Sequence, residues 1–212
     1  MCSRFSQTKG EVRRDSRFGT LQTKLTLRFN IAPTQAAPVA LLRDGALTLQ
    51  DMQWGFAGFN GQTVVNARSE TAHEKRMFRE AWAANHCLVP ADGFYEWKTT
   101  PEGKQPYRFV QRSRDLFWFA GLWADNRFTI LTAPALGCVR ELHDRMPVIL
   151  CDDAIDWWLA PAAPPSSVEL IERASPAEAL ESYPVSRAMS NARHATADCI
   201  EPIHLPQAEF NL

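Results

Sequence analysis

The sequence lacks the marks of several protein classes. Its five cysteines stand apart at positions 2, 87, 138, 151 and 199. No two have Cys-x-x-Cys spacing, which argues against a disulfide framework and against a zinc site. No apolar run approaches the length that spans a bilayer. The opening Met1-Cys2-Ser3-Arg4-Phe5-Ser6-Gln7 has no apolar core of the signal-peptide kind, so no membrane partner and a cytoplasmic location are expected. Internal repeats are missing, as are a phosphate-cradling glycine loop, a Gly-x-Ser-x-Gly elbow and the Rossmann glycine fingerprint. These absences point to no bound metal and no organic cofactor. Net charge is also scarce, at −1 over 212 residues.

What is present is an ordinary folded composition, 45% hydrophobic and 22% charged, with one domain expected over residues 1–212. The small net charge hides a polarity along the chain. Residues 1–114 hold 17 basic against 10 acidic side chains, and residues 115–212 hold 6 against 14. Such a chain can turn one basic face toward phosphates, unless the two parts interleave in space and the difference averages away.

Short apolar runs dominate, among them Pro38–Leu42, Cys87–Pro90, Leu116–Trp123 and Phe128–Thr132, each of strand length and bounded by turn formers. Asp44-Gly45 carries the two-residue hairpin signal. Helices are predicted over Glu74–Ala84 and Asp152–Leu159, and a capping box at Ser175-Pro176-Ala177-Glu178. Pro161–Ser167 is expected to be a surface loop. Many strands and few helices, without regular alternation, predict an α+β fold: a mostly antiparallel, barrel-like β core with a few flanking helices.

Four groups of residues carry candidate chemistry. Cys2 becomes the first residue if Met1 is removed, and its α-amine and thiol then sit on adjacent carbons. That 1,2-aminothiol can form an imine with an aldehyde and close a thiazolidine ring, which an internal cysteine cannot do. Asn66 and Arg68, two residues apart, share a face if extended. Glu96 lies within Phe94-Tyr95-Glu96-Trp97, and a carboxylate among aromatics is suited to proton transfer. His143, beside Asp144 and Arg145, is the histidine best placed for acid–base work, whereas His86 and His204 sit in apolar sequence. Arginines beside aromatics in Arg28–Thr34, Trp54-Gly55-Phe56 and Arg76–Arg79 suit single-stranded nucleic acid. Taken one at a time, each group also fits a buried strand, a surface ion pair or a core ring.

Their order along the chain is more specific. Met1-Cys2-x-Arg4-Phe5, Arg28–Pro33, Trp54-Gly55-Phe56, Asn66–Thr71, Arg76-Met77-Phe78, Ala91–Trp97, Leu142–Pro147 and Pro184-Val185-Ser186 together resemble the SRAP family, the SOS response-associated peptidase or abasic-site processing proteins. The resemblance implies recognition of abasic sites in single-stranded DNA, at the nucleoid, by a monomer that cross-links to the lesion and shields it during the DNA damage response. It implies Cys2 as nucleophile, Asn66 positioning the first residue or the sugar, Glu96 moving protons, and His143 assisting sugar ring opening or reversal. Arg4, Asn30, Pro33, Trp54, Phe59, Arg68, Arg76 and Arg145 are the implied DNA contacts. The family name also implies a thiol (auto)peptidase using Cys2 and His143. The chain departs from the family pattern at Ser3, where glycine is usual, in the short Ala57–Gly61 segment, and at Ala188–Asn191.

Overall fold

The computed structural model describes residues 2–161 and 163–205. Met1, whose removal is expected, and Ala162 of the expected loop lie outside the described residues. The chain opens with β1 (Phe5–Gln7), β2 (Glu11–Ser16), β3 (Gly19–Lys24), β4 (Arg28–Ile31), β5 (Ala36–Arg43) and β6 (Ala46–Trp54). Then follow β7 (Phe56–Ala57), β8 (Thr63–Val64), β9 (Asn66–Arg68), α1 (Arg79–Ala84), β10 (His86–Ala91), β11 (Gly93–Thr100) and β12 (Gly103–Gln111). The rest comprises β13 (Phe117–Ala124), β14 (Arg127–Pro134), α2 (Gly137–Arg140), β15 (Arg145–Pro147), α3 (Ile155–Leu159), α4 (Ser167–Glu172) and β16 (Leu180–Pro184).

The expected α+β composition is present, but the barrel-like core is not. Twelve of the sixteen strands among the described residues divide between two principal sheets, and β2-β3 and β7-β8 form separate two-stranded ones. One is five-stranded and open, in the order β16-β12-β11-β1-β4. The other is seven-stranded and mixed, in the order β13-β10-β5-β6-β14-β15, with β9 on β14 and a further β13–β14 pairing. β14 runs parallel to β6 and to β9. Apolar alternation is the same in a closed barrel and in stacked sheets, so it could not separate them.

Layering explains the strand-length apolar runs. Val39, Leu41, Cys87 and Val89 of the seven-stranded sheet face Phe5, Phe94 and Phe109 of the other across one core. Their neighbours Ala40 and Leu88 point the opposite way, toward Trp82, Trp158 and Leu170 of the helices. Both faces are covered, so the runs are continuous rather than half polar. The outer face of the five-stranded sheet is covered in turn, with Tyr95 packing on Val185, Met189 and Cys199.

The Asp44-Gly45 hairpin forms between β5 and β6, with φ of 50° and 78° at the two turn residues. The predicted helix over Glu74–Ala84 shrinks to α1, because the preceding segment winds through separate turns closed by Lys75–Thr71 and Phe78–Lys75 backbone bonds. The capping box belongs to Ser166 and Glu169, which cap α4 reciprocally, and not to Ser175-Pro176-Ala177-Glu178, where Pro176 precedes a single 3-10 turn without a side-chain cap.

Candidate functional site

The five-stranded sheet places the first residues. Phe5 pairs with Phe94 and Ser6 with Gly93, and the Tyr95 N–H donates to the Arg4 carbonyl at 3.1 Å. That register, carried one step on, sets Ser3 opposite Glu96. Beneath it lies a buried polar knot. Asp92 accepts from the Ser6 hydroxyl at 2.7 Å, from the Thr8 N–H at 2.7 Å and from Arg108 at 3.0 Å. Arg108 also donates to the Tyr183 hydroxyl at 2.8 Å. Its guanidinium occupies the space over Gly93, where an added Cβ would meet Arg108 Nε at 2.5 Å. Glycine in Asp92-Gly93-Phe94 is therefore a packing requirement.

A cavity of about 450 Å³ opens at this end of the sheet, lined by Ser3, Arg4, Glu96, Trp97, Lys104, His143 and Ser190. Cys2 lies beside it, fully buried, and Asn66 Nδ2 donates to the Cys2 carbonyl at 2.7 Å. Burial pushes the Cys2 thiol well above its ordinary pKa, and the negative charge of Glu96 adds to the rise. Burial likewise raises the Glu96 carboxyl, against a lowering by the neighbouring His143. Both groups hold their protons more tightly than in water. His143 Nδ1 accepts from the Arg145 N–H at 2.9 Å, with Asp144 Oδ1 also 2.9 Å away. In the neutral ring the hydrogen therefore sits on Nε2, and a contact with Asp144 as partner requires protonation at Nδ1.

The implied DNA contacts lie in several settings. Trp54, Asn30 and Arg145 are each buried and engaged inside the protein. Trp54 packs edge-on against Phe5 at 5.0 Å, and its indole donates to the Val65 carbonyl. Asn30 accepts from Arg4 and donates to the Met189 and His194 carbonyls at 2.7 Å each. Arg145 forms a two-pronged pair with Glu70 and donates to the Thr132 carbonyl. That pair holds the Glu70 carboxyl down at about 2.

Arg4 lines the cavity, but its guanidinium is spent on Asn30, Met189 and Ser190. Phe59, Arg76, Met77 and Arg127 share a separate groove of about 580 Å³, with the Phe59 ring 89% exposed at its rim. Arg68 is exposed at the end of β9, and Pro33 is half-buried. Of the other histidines, His86 is buried against Trp158, whereas His204 is exposed despite its apolar sequence neighbours.

The pattern of the family described as SOS response associated peptidase (SRAP) matches residues 1–192. The abasic site processing protein YoqW of Bacillus subtilis (strain 168) is 32% identical over 191 residues, covering 82% of this chain and 85% of its own. The abasic site processing protein YedK of Escherichia coli (strain K12) is 30% identical over 190 residues, covering 83% and 85%. Among solved structures, a phage-related protein from Bordetella bronchiseptica aligns with a TM-score of 0.71 at 28% identity, over 88% of this chain and 95% of that one. This chain belongs to the SRAP family.

Two of its three departures from the SRAP pattern have local explanations. Ser3 is not among the residues of positive φ, so its backbone needs no glycine. At Ala188–Asn191 the Arg4 contacts are with the Met189 and Ser190 backbone carbonyls, which any side chains there would present. Sequence reasoning missed Lys104 and Ser190. Lys104 reaches the cavity from a segment without a motif and Ser190 from the block that departs from the family pattern, and Ser190 Oγ accepts from the Trp97 indole at 2.9 Å. It also missed that His194, Asp198 and Cys199 bring ligand atoms within 4.8 Å of one another. His194 and Asp198 are hydrogen-bonded at 2.7 Å, and the Cys199 thiol donates to the His194 carbonyl.

Proposed function

We infer that this chain recognises abasic sites in single-stranded DNA and bonds to them covalently through Cys2 once Met1 has been removed. The reading rests on one juxtaposition: a buried Cys2, anchored by Asn66, beside a cavity holding Glu96 and His143. His143 passes a proton to the ring oxygen as the sugar's hemiacetal hydroxyl loses one, which opens the sugar to its aldehyde. The neutral Cys2 amine attacks the aldehyde carbon, and the carbinolamine loses water to give an imine. Sγ then adds to that carbon, and its proton passes through Glu96 to the imine nitrogen, which closes the thiazolidine. One water leaves and no DNA strand bond breaks. The raised thiol makes a proton acceptor at Sγ necessary, and a buried carboxylate of raised pKa is matched to that task.

A general thiol peptidase is less well served by this geometry. Such an enzyme needs a thiol lowered toward the thiolate, whereas burial here raises it. Aldehydes are rare in DNA, so the chemistry itself supplies selectivity and sequence readout is unnecessary. Action as a monomer in the cytoplasm, at the nucleoid, completes the proposal.

The test is denaturing electrophoresis of purified protein with single-stranded DNA bearing one abasic site, alongside intact-mass measurement of the protein. A heat-stable adduct is expected from the wild type and none from Cys2→Ala. An undiminished adduct from Cys2→Ala, or retention of Met1 on protein that forms the adduct, overturns the mechanism.

A further inference from the structure

We propose that Lys104 holds a backbone phosphate flanking the abasic sugar, an inference that rests on the DNA reading above and adds a binding contact to it. A strand entering the cavity brings at least one phosphate on each side of the lesion, and the cavity must answer that charge. Arg4 cannot answer it freely, because its guanidinium is already divided among Asn30, Met189 and Ser190. Arg145, next to His143 in sequence, is closed by Glu70. Glu96 brings negative charge into the same cavity. Among the described residues, Lys104 is the cavity's cation whose side-chain ammonium has neither a hydrogen bond nor an ion pair inside the protein.

Its backbone, by contrast, is fixed. Lys104 pairs with Thr99 at the start of β12, just after the turn at Gly103. Arg187 braces that hairpin, donating to the Glu102 carbonyl at 2.8 Å and to Gln105 Oε1 at 3.1 Å. Opposite Thr99, Lys104 projects from the same face of the sheet as Trp97, whose indole is held by Ser190. The result is an exposed ammonium on a braced hairpin beside an aromatic wall. An ammonium bound as a compact point charge suits a phosphodiester oxygen. Sequence inspection passes over it because Lys104 lies in a turn-and-strand segment with no chemistry of its own.

Fluorescence anisotropy with single-stranded DNA carrying a tetrahydrofuran analogue tests the contact. The analogue has no aldehyde, so binding is read independently of cross-linking. Lys104→Ala is expected to raise the dissociation constant about 3- to 10-fold at moderate salt and to reduce the salt slope by about 0.7, the value for one single-strand phosphate. Lys104→Arg should restore both. A single neutral methylphosphonate at the contacted linkage should weaken wild-type binding and leave Lys104→Ala unaffected. An unchanged dissociation constant and salt slope in Lys104→Ala overturn the proposal. Loss of the wild-type adduct on true abasic DNA, with the Lys104 effect intact on the analogue, would instead sink the cross-linking reading alone.

Discussion

The side-chain amide of Asn66 donates to the main-chain carbonyl of Cys2 across 2.7 Å, although 64 residues separate them in sequence. This bond ties β9 of the seven-stranded sheet to the segment leading into β1 of the five-stranded one. Only the NH2 end of the amide can donate to a carbonyl, so Asn66 Oδ1 is turned the other way. That oxygen is buried and has no hydrogen-bond partner among the described residues. An acceptor left open beside the first reactive residue can hold the ammonium or amine hydrogens of Cys2 after processing.

Asn66→Ala is therefore expected to slow adduct formation about 10- to 100-fold, the equivalent of one or two positioning hydrogen bonds. Its melting temperature should stay close to that of the wild type, since an unpaired buried oxygen is removed along with the donor. Asn66→Asp should do no better, because a carboxylate set against the Cys2 carbonyl offers no donor. Single-turnover cross-linking kinetics measure the effect. A wild-type rate in Asn66→Ala would mean that β1 alone positions Cys2.

A second expectation concerns the knot beneath the site. Arg108 and Asp92 are both buried and form a 3.0 Å ion pair, and the Gly93 hydrogen side is filled by the Arg108 guanidinium. Gly93→Ala forces the guanidinium away from Asp92 and leaves two poorly compensated buried charges. Breaking such a pair costs about 3–5 kcal/mol. Urea denaturation should show a loss near the lower end of that range, since Arg108 can keep part of its contact with Tyr183. Stability within about 0.5 kcal/mol of wild type, a threshold set by ordinary surface substitutions, would show that the knot is easily rearranged.

How much of this was legible beforehand depends on whether a signal is local. The Asp44-Gly45 turn was legible because φ > 0 at both residues is a property of that dipeptide. Cys2, Asn66, Glu96 and His143 could be singled out because each has a reactive or hydrogen-bonding group in a distinctive sequence setting, and the fold brings them near one another where β9 of the seven-stranded sheet meets the start of the five-stranded one. Trp54, Asn30 and Arg145 were named as DNA contacts from residue type, which says nothing of burial, and the fold buries all three. Arg145 is neutralised by Glu70, which lies 75 residues away. The sheet arrangement was illegible for the same reason: β14 meets β6 and β9 in parallel, a pairing that no short-range pattern encodes. Lys104 and Ser190 matter through position alone, and position is what folding adds.

A third expectation follows from His86, which the sequence placed in the core and the structure places against Trp158 with ring centres 4.2 Å apart. Burial lowers its pKa from the ordinary 6.5 to about 4, while the Trp82 carbonyl contact works in the opposite direction. The folded protein therefore binds fewer protons at this ring than the unfolded chain between those two values. Its contribution to stability is complete above pH 6.5 and is lost as pH falls toward 4. The upper bound is about 3 kcal/mol, at about 1.4 kcal/mol for each tenfold loss of proton affinity. Glu70, whose carboxyl is held at about 2, loses its contribution mainly below the ordinary carboxylate range, and the raised Glu96 carboxyl is common to both proteins, so the difference between wild type and His86→Gln from pH 6.5 to about 5 isolates the histidine. In that window wild-type stability to guanidinium should fall with acid, and His86→Gln should fall less steeply. Gln keeps a donor for the Trp82 carbonyl but does not titrate. Equal slopes in the two proteins would show that His86 already escapes to water when it takes a proton, and that the layer formed by β10 and α3 opens at mild acidity without unfolding.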